Sequence, residues 1–177
     1  MLRRYAGPLV ASSGFRRARA GTLPRVTYTA AEGRQQILDE LASATDRLAV
    51  SLACVGAAYD LLDEQSGDRL EEALFRPVQH ALGTAQRTYS GFASRYGLPA
   101  RTFETPNAGH ASQGAKAFIE RAMDQAAEAA HQIAELQDTM LPVEVGDAEL
   151  RAGLAEVRDR VEGLRTDARD FTRTLGR

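Results

Sequence analysis

Long seams of apolar residues, spaced by alternating steps of four and three, constrain this chain more than any other feature. The first series runs Ile37, Leu41, Ala44, Leu48, Ser51, Val55, Ala58 and Leu62. Steps of three and four return to the same side of an α-helix, so the series marks one face of a long helix that needs partners to cover it. A second seam follows in Val78, Leu82, Ala85, Tyr89, Phe92 and Tyr96. A third is alanine-rich, with Ala115, Ile119, Ala122, Ala126, Ile133, Leu136 and Met140, and a fourth runs from Leu150 through Leu154, Val157, Val161, Leu164, Ala168 and Phe171 to Leu175. Four amphipathic helices of about 30 residues, each roughly 45 Å long, predict an all-α protein. The economical arrangement is an up-down-up-down four-helix bundle with heptad-like, coiled-coil seams; a more open hairpin array that pairs with a second chain is the alternative.

Punctuation residues place the helix ends. Thr29 and Glu32 have capping-box spacing, Gly67 and Asp68 can end one helix and cap the next, and Gly97 followed by Pro99 closes the second. Leu70 and Leu74 approach Val78 in steps of four, so the seam drifts where Pro77 removes a backbone donor, and a kink is expected there. The third helix should start near Ser112, after a longer loop, "GLPARTFETPNAGHA"; the fourth should continue without a break after "VEVGD". Alanines along the third seam should let the neighbouring backbone come close.

Charge divides the chain. Residues 1–29 contain six arginines and no acid, against a formal net charge of −2 for the whole chain. Residues 1–28 therefore read as a disordered basic tail or a targeting segment, and residues 29–177 as the folded unit. A basic tail can touch nucleic acid or anionic lipid, and Arg and Ser without acids also suit an organellar transit peptide. Otherwise a cytoplasmic location is expected. The least charged run, Leu48 to Tyr59, is too short for a bilayer span, which needs about 20 residues, so no transmembrane segment is expected. The single cysteine, Cys54, excludes an intramolecular disulfide and should be packed beside Val55.

Little in the sequence points to chemistry. Glu128 and His131 have the Glu-x-x-His spacing of metal-binding helical bundles, yet both lie about 200° around the helix from the seam residues Ala126 and Ile133. The inward positions hold no Asp, Glu or His, so neither a metal, a cofactor nor a catalytic group is expected. A ferritin-like or ligand-carrying bundle would need a polar cavity, which Ser51, Tyr59, Tyr89 and Tyr96 could line. Arg165, Arg169 and Arg173 form a row interrupted by acids. A candidate contact loop brings Arg101, Phe103, Glu104, Asn107 and His110 together at one end, although Asn107 also has a local role as a turn former. The expected function is a non-enzymatic protein-interaction or structural module, its partner another protein or a second copy of itself.

Overall fold

The computed structural model describes residues 30–175, which are all-helical and contain no strand. The expectations that fall on the basic tail, and Thr29 of the capping box, lie outside the described residues. Helix α1 (Ala30–Tyr59) is followed by α2 (Glu64–Leu70), a π-helical turn (Glu71–Phe75) and α3 (Arg76–Tyr96). A single 3₁₀ turn (Ala111–Gln113) precedes α4 (Ala115–Asp138); a short α5 (Leu141–Glu144) leads into α6 (Ala148–Glu162) and α7 (Leu164–Thr174).

Nearly all the seam residues are inside. Ile37, Leu41, Ala44, Leu48, Val55 and Ala58 on α1 are fully buried, as are Val78, Ala85 and Phe92 on α3 and Leu150, Leu154 and Val157 on α6. Each Leu or Ile side chain so buried contributes about 1.5–3 kcal/mol, which is why the pattern dictates the packing. Leu62, Tyr96, Ala115 and Leu175 are part-buried, and Met140 is exposed, at 52%. By length and composition α1 could cross a membrane, but 56% of its most apolar window is buried within the protein.

Helix direction corrects the expected order. Ser43 bonds Gln132, Arg47 bonds Gln125 and Ser51 bonds the Ala122 carbonyl, so α1 and α4 are antiparallel. The Arg34 guanidinium lies over the Tyr96 ring while Gly56 faces Phe75, so α1 and α3 are antiparallel too. Helices α3 and α4 therefore run the same way, and they sit diagonally across the core, each packed against α1 on one side and α6 on the other. Thr84 bonds Glu156 and Arg95 bonds Asp147, so α6 is antiparallel to α3 and the order is up-down-down-up. Its physical cause is the Gly97–Gly114 connection, which is long enough to travel back along α1 instead of turning at one end.

Three boundaries also differ from expectation. Helix α1 stops at Tyr59, and Asp63 caps α2 by accepting the Ser66 N–H at 2.9 Å. Gly67 is inside α2, where its bare Cα admits the Tyr59 ring: a Cβ there would sit 3.1 Å from Tyr59 Cε2. The irregularity expected at Pro77 is the π turn just before it, in which the Arg76 N–H reaches back to the Glu71 carbonyl. A π turn is wider than an α turn, so it absorbs the four-residue drift and leaves Leu70, Leu74 and Val78 all fully buried. The fourth helical segment is interrupted at Gly163, yet α6 and α7 continue one apolar seam to Phe171.

Candidate functional site: a groove beneath the α3–α4 strap

Helix α1 carries two apolar faces. One is the core seam; the other comprises Ala49, Leu52, Ala53, Gly56 and Ala57 and turns toward the Gly97–Gly114 connection. The sequence holds a signal for it: the run from Leu48 to Tyr59 is apolar all round, and a helix without a polar face needs cover on every side.

The connection supplies only part of that cover. Gly97, at φ 64°, reverses the chain after α3, and the Leu98 N–H bonds the Ala93 carbonyl at 2.9 Å. The Arg101 N–H donates to the Tyr89 hydroxyl at 3.1 Å, and its guanidinium pairs with Asp46 on α1. The same guanidinium covers the Phe103 ring at 4.4 Å, and Phe103 meets Tyr89 edge-on with centroids 5.0 Å apart. Asn107 accepts the Gly109 N–H at 2.8 Å, forming a local turn, and Arg121 of α4 donates to the Ala108 carbonyl at 2.7 Å. The segment is thus a strap tied to α1, α3 and α4.

Between strap, α1 and α3 lies a groove of about 540 Å³. Leu52 and Ala53 line α1's side of it, Phe75 and Leu82 the π turn and α3, and Phe103 the strap. A smaller hollow of about 290 Å³ continues it past Gly56 to Tyr59 and Glu71. Tyr59 and the nearby Leu61 are each 41% exposed. The charged groups of the lining are Asp60, Glu71 and Glu104, all acids; among the described residues no basic side chain lines either hollow. Glu71 is engaged by Arg76, whereas Asp60 and Glu104 have no ion-pair partner among the described residues.

Of the five loop residues singled out from sequence, Phe103, Glu104 and Asn107 line the groove. Arg101 ties the strap down from beside it. His110 is exposed and precedes the 3₁₀ turn without capping it through its side chain. Sequence reasoning missed the partners of this loop, Leu52, Ala53, Gly56 and Phe75, because they are far away in the chain.

Elsewhere, several polar groups are occupied structurally. The buried Thr45 hydroxyl donates to the Leu41 carbonyl at 2.7 Å, and Ser51 donates to Ala122 at 2.8 Å, a bond that needs the close approach the alanines permit. Tyr59 is too exposed to line a core cavity. His131 faces solvent and pairs with Glu135 at 3.4 Å; among the described residues, no three potential ligands converge on a metal position. Burial pushes the Cys54 thiol above its ordinary value, with Arg121 opposing weakly, so it is a packed neutral thiol. Arg165 pairs with Asp124 and Arg173 with Asp170, which splits the arginine row into local ion pairs. The open cleft beside α7, about 600 Å³, is spanned by Arg69, which bonds Thr174 and lies over Phe171.

Comparison with protein-family models, curated proteins and solved structures gives no match for this chain.

Proposed function

We propose that this protein is a non-enzymatic interaction module: a four-helix bundle, up-down-down-up, whose overhand strap builds a docking groove for an apolar, basic segment of another protein. The observation that carries the reading is the second apolar face of α1, left part-covered beneath the strap and rimmed by Asp60 and Glu104. An apolar floor offers burial at about 25 cal/mol per Å², and an acidic rim selects and steers a cationic occupant. Ala49, Ala53 and Gly56, in steps of four and three, present small side chains beside Leu52, which suits the close approach of a helix laid in the groove.

The test is a titration of the ¹⁵N-labelled protein with a model amphipathic helix built from leucine and lysine. Binding in the groove shifts the amides of Leu52, Ala53, Gly56 and Phe103. Ala53→Arg fills the floor and adds a like charge, and should weaken that binding by about tenfold or more, which corresponds to about 1.4 kcal/mol. Shifts spread over the whole surface, or binding indifferent to Ala53→Arg, would refute the reading.

A further inference from the structure

Building on that reading, we infer that the strap is the groove's built-in competitor: Arg101 and Phe103 occupy the positions of the partner's own anchors, and a partner docks by lifting them away. The first argument is chemical likeness. Phe103 lines the groove with its ring edge-on to Tyr89, centroids 5.0 Å apart. The Arg101 guanidinium covers that ring at 4.4 Å and pairs with Asp46 on α1. An apolar side chain in the groove, with a cation beside it held by an acid, is the chemistry proposed for the partner. Both arginines that stand beside the groove belong to this arrangement. Arg101 leaves with the strap and frees Asp46 for a cation of the partner; Arg121, on α4, stays behind and loses the Ala108 carbonyl it holds at 2.7 Å. The Ser51 bond to the Ala122 carbonyl sets Arg121 roughly one and a half turns beyond Asp46 along α1. A fitting segment therefore carries a cation for Asp46, an aromatic or leucine anchor, and a carbonyl or carboxylate for Arg121.

The second argument is how lightly the strap is held. Among the described residues, residues 99–109 make no backbone–backbone hydrogen bond. Their ties are the Arg101 N–H to the Tyr89 hydroxyl at 3.1 Å, the Arg101 guanidinium to Asp46 and, at 3.4 Å, to the Ala42 carbonyl, and the Arg121 bond. The Arg101 and Asp46 side chains are 45% and 53% exposed, and an ion pair so open to water holds little. Phe103 and Ala108 are only part-buried. Both ends are free to turn: Gly97 and Gly114 have φ of 64° and 80°, and a Cβ on either would meet nothing within 4 Å. A segment with few buried contacts and a solvated backbone opens at low cost, so a lifted state populated on the order of 1% is expected. A partner that needs the lifted state binds about a hundredfold more weakly than it would to an open groove.

The experiment titrates the leucine–lysine helix against the full chain and two variants, each checked for a native circular dichroism spectrum, with the amides of Leu52, Ala53 and Gly56 reporting the site. Phe103→Ala removes the strap's anchor, so binding should tighten by about tenfold. If Phe103 were only a wall of the groove, truncating it would lose a contact and weaken binding. Tyr89→Phe removes the tie to the Arg101 N–H without changing charge or the groove's lining, and binding should tighten by about two- to tenfold. In the Phe103→Ala background, Asp46→Asn should weaken binding by about two- to fivefold, because Asp46 then serves the helix's cation. Tighter binding by both single variants supports the inference. Binding at these amides that weakens with Phe103→Ala and ignores Tyr89→Phe overturns competition by the strap and leaves the groove its binding role. Amides that stay unmoved in all the chains, the opened ones included, defeat the proposed function as well.

Discussion

Gly153→Ala should destabilise this protein even though it replaces the poorer helix former with the best one. In the interior of an exposed helix the change is worth about 1 kcal/mol in favour of alanine. At Gly153, however, α6 presses on α3: an added Cβ would lie 2.1 Å from Thr88 Oγ1, 2.7 Å from its Cγ2 and 3.0 Å from its Cβ. Thr88 cannot simply swing away, because it is β-branched and its hydroxyl is bonded to the Thr84 carbonyl at 2.8 Å. Overpacking of this kind costs typically about 1–3 kcal/mol, and contacts this short belong at or above the top of that range, so the net loss should be about 2 kcal/mol. At about 2–4 °C per kcal/mol for a domain of this size, Tm falls by about 4–8 °C. Urea or thermal denaturation followed by circular dichroism measures it. Gly83→Ala is the internal control, since a Cβ there meets only the end of the flexible Arg87 side chain, at 3.3 Å; it should be neutral or stabilising. Thr88→Ala removes the two atoms in closest conflict, so the double variant should recover about 1–2 kcal/mol beyond additivity. A Gly153→Ala protein that melts at or above the wild type would show that α3 and α6 are not in this close register.

Further outcomes follow from the site and its supports. Asp147 caps α6 by accepting the Leu150 N–H at 2.8 Å and is held by Arg95 through two hydrogen bonds, at 2.7 and 3.0 Å. Burial raises its pKa, but the Arg95 and Leu150 bonds outweigh that and hold the carboxyl below its ordinary value. Its contribution is therefore complete above the unfolded-state value of about 3.9 and is lost as pH falls through the lower folded value. Asp147→Asn should cost about 1–3 kcal/mol near neutral pH, with Arg95 partly exposed and Glu149 still beside it, and the difference from wild type should shrink in melts below about pH 4. Tyr89→Phe removes the acceptor for the Arg101 N–H; hydrogen exchange should quicken at Arg101 and along the strap, with a stability loss of about 1 kcal/mol. His131→Ala removes an exposed side chain and should leave Tm within the shift expected for about 0.5 kcal/mol, with no change in metal content by native mass spectrometry.

Helical class and the composition of the core were legible in the sequence, because burial on a helix is a local periodicity. The seams of α1, α3, α4 and α6 could be read off in steps of three and four, and Gly97 announced a helix end that its left-handed backbone carries out. Capping was less legible at the other junctions. Gly67 has the composition of a stop signal, but the Tyr59 ring it accommodates became its neighbour only after the chain turned at residues 60–63. Pro77 marked an irregularity, and burial of Leu70, Leu74 and Val78 together decided that it would be a π turn. Helix order escaped the sequence because an apolar stripe specifies that it must be covered and is silent about which neighbour covers it. The candidate groove escaped for the same reason: Phe103 and Glu104 stood out as loop residues, but their partners Leu52, Gly56 and Phe75 come from segments far apart in the chain. Periodicity within one helix settled what lies inside this protein; the path of the strap across three helices settled which apolar surface was left for something else to occupy.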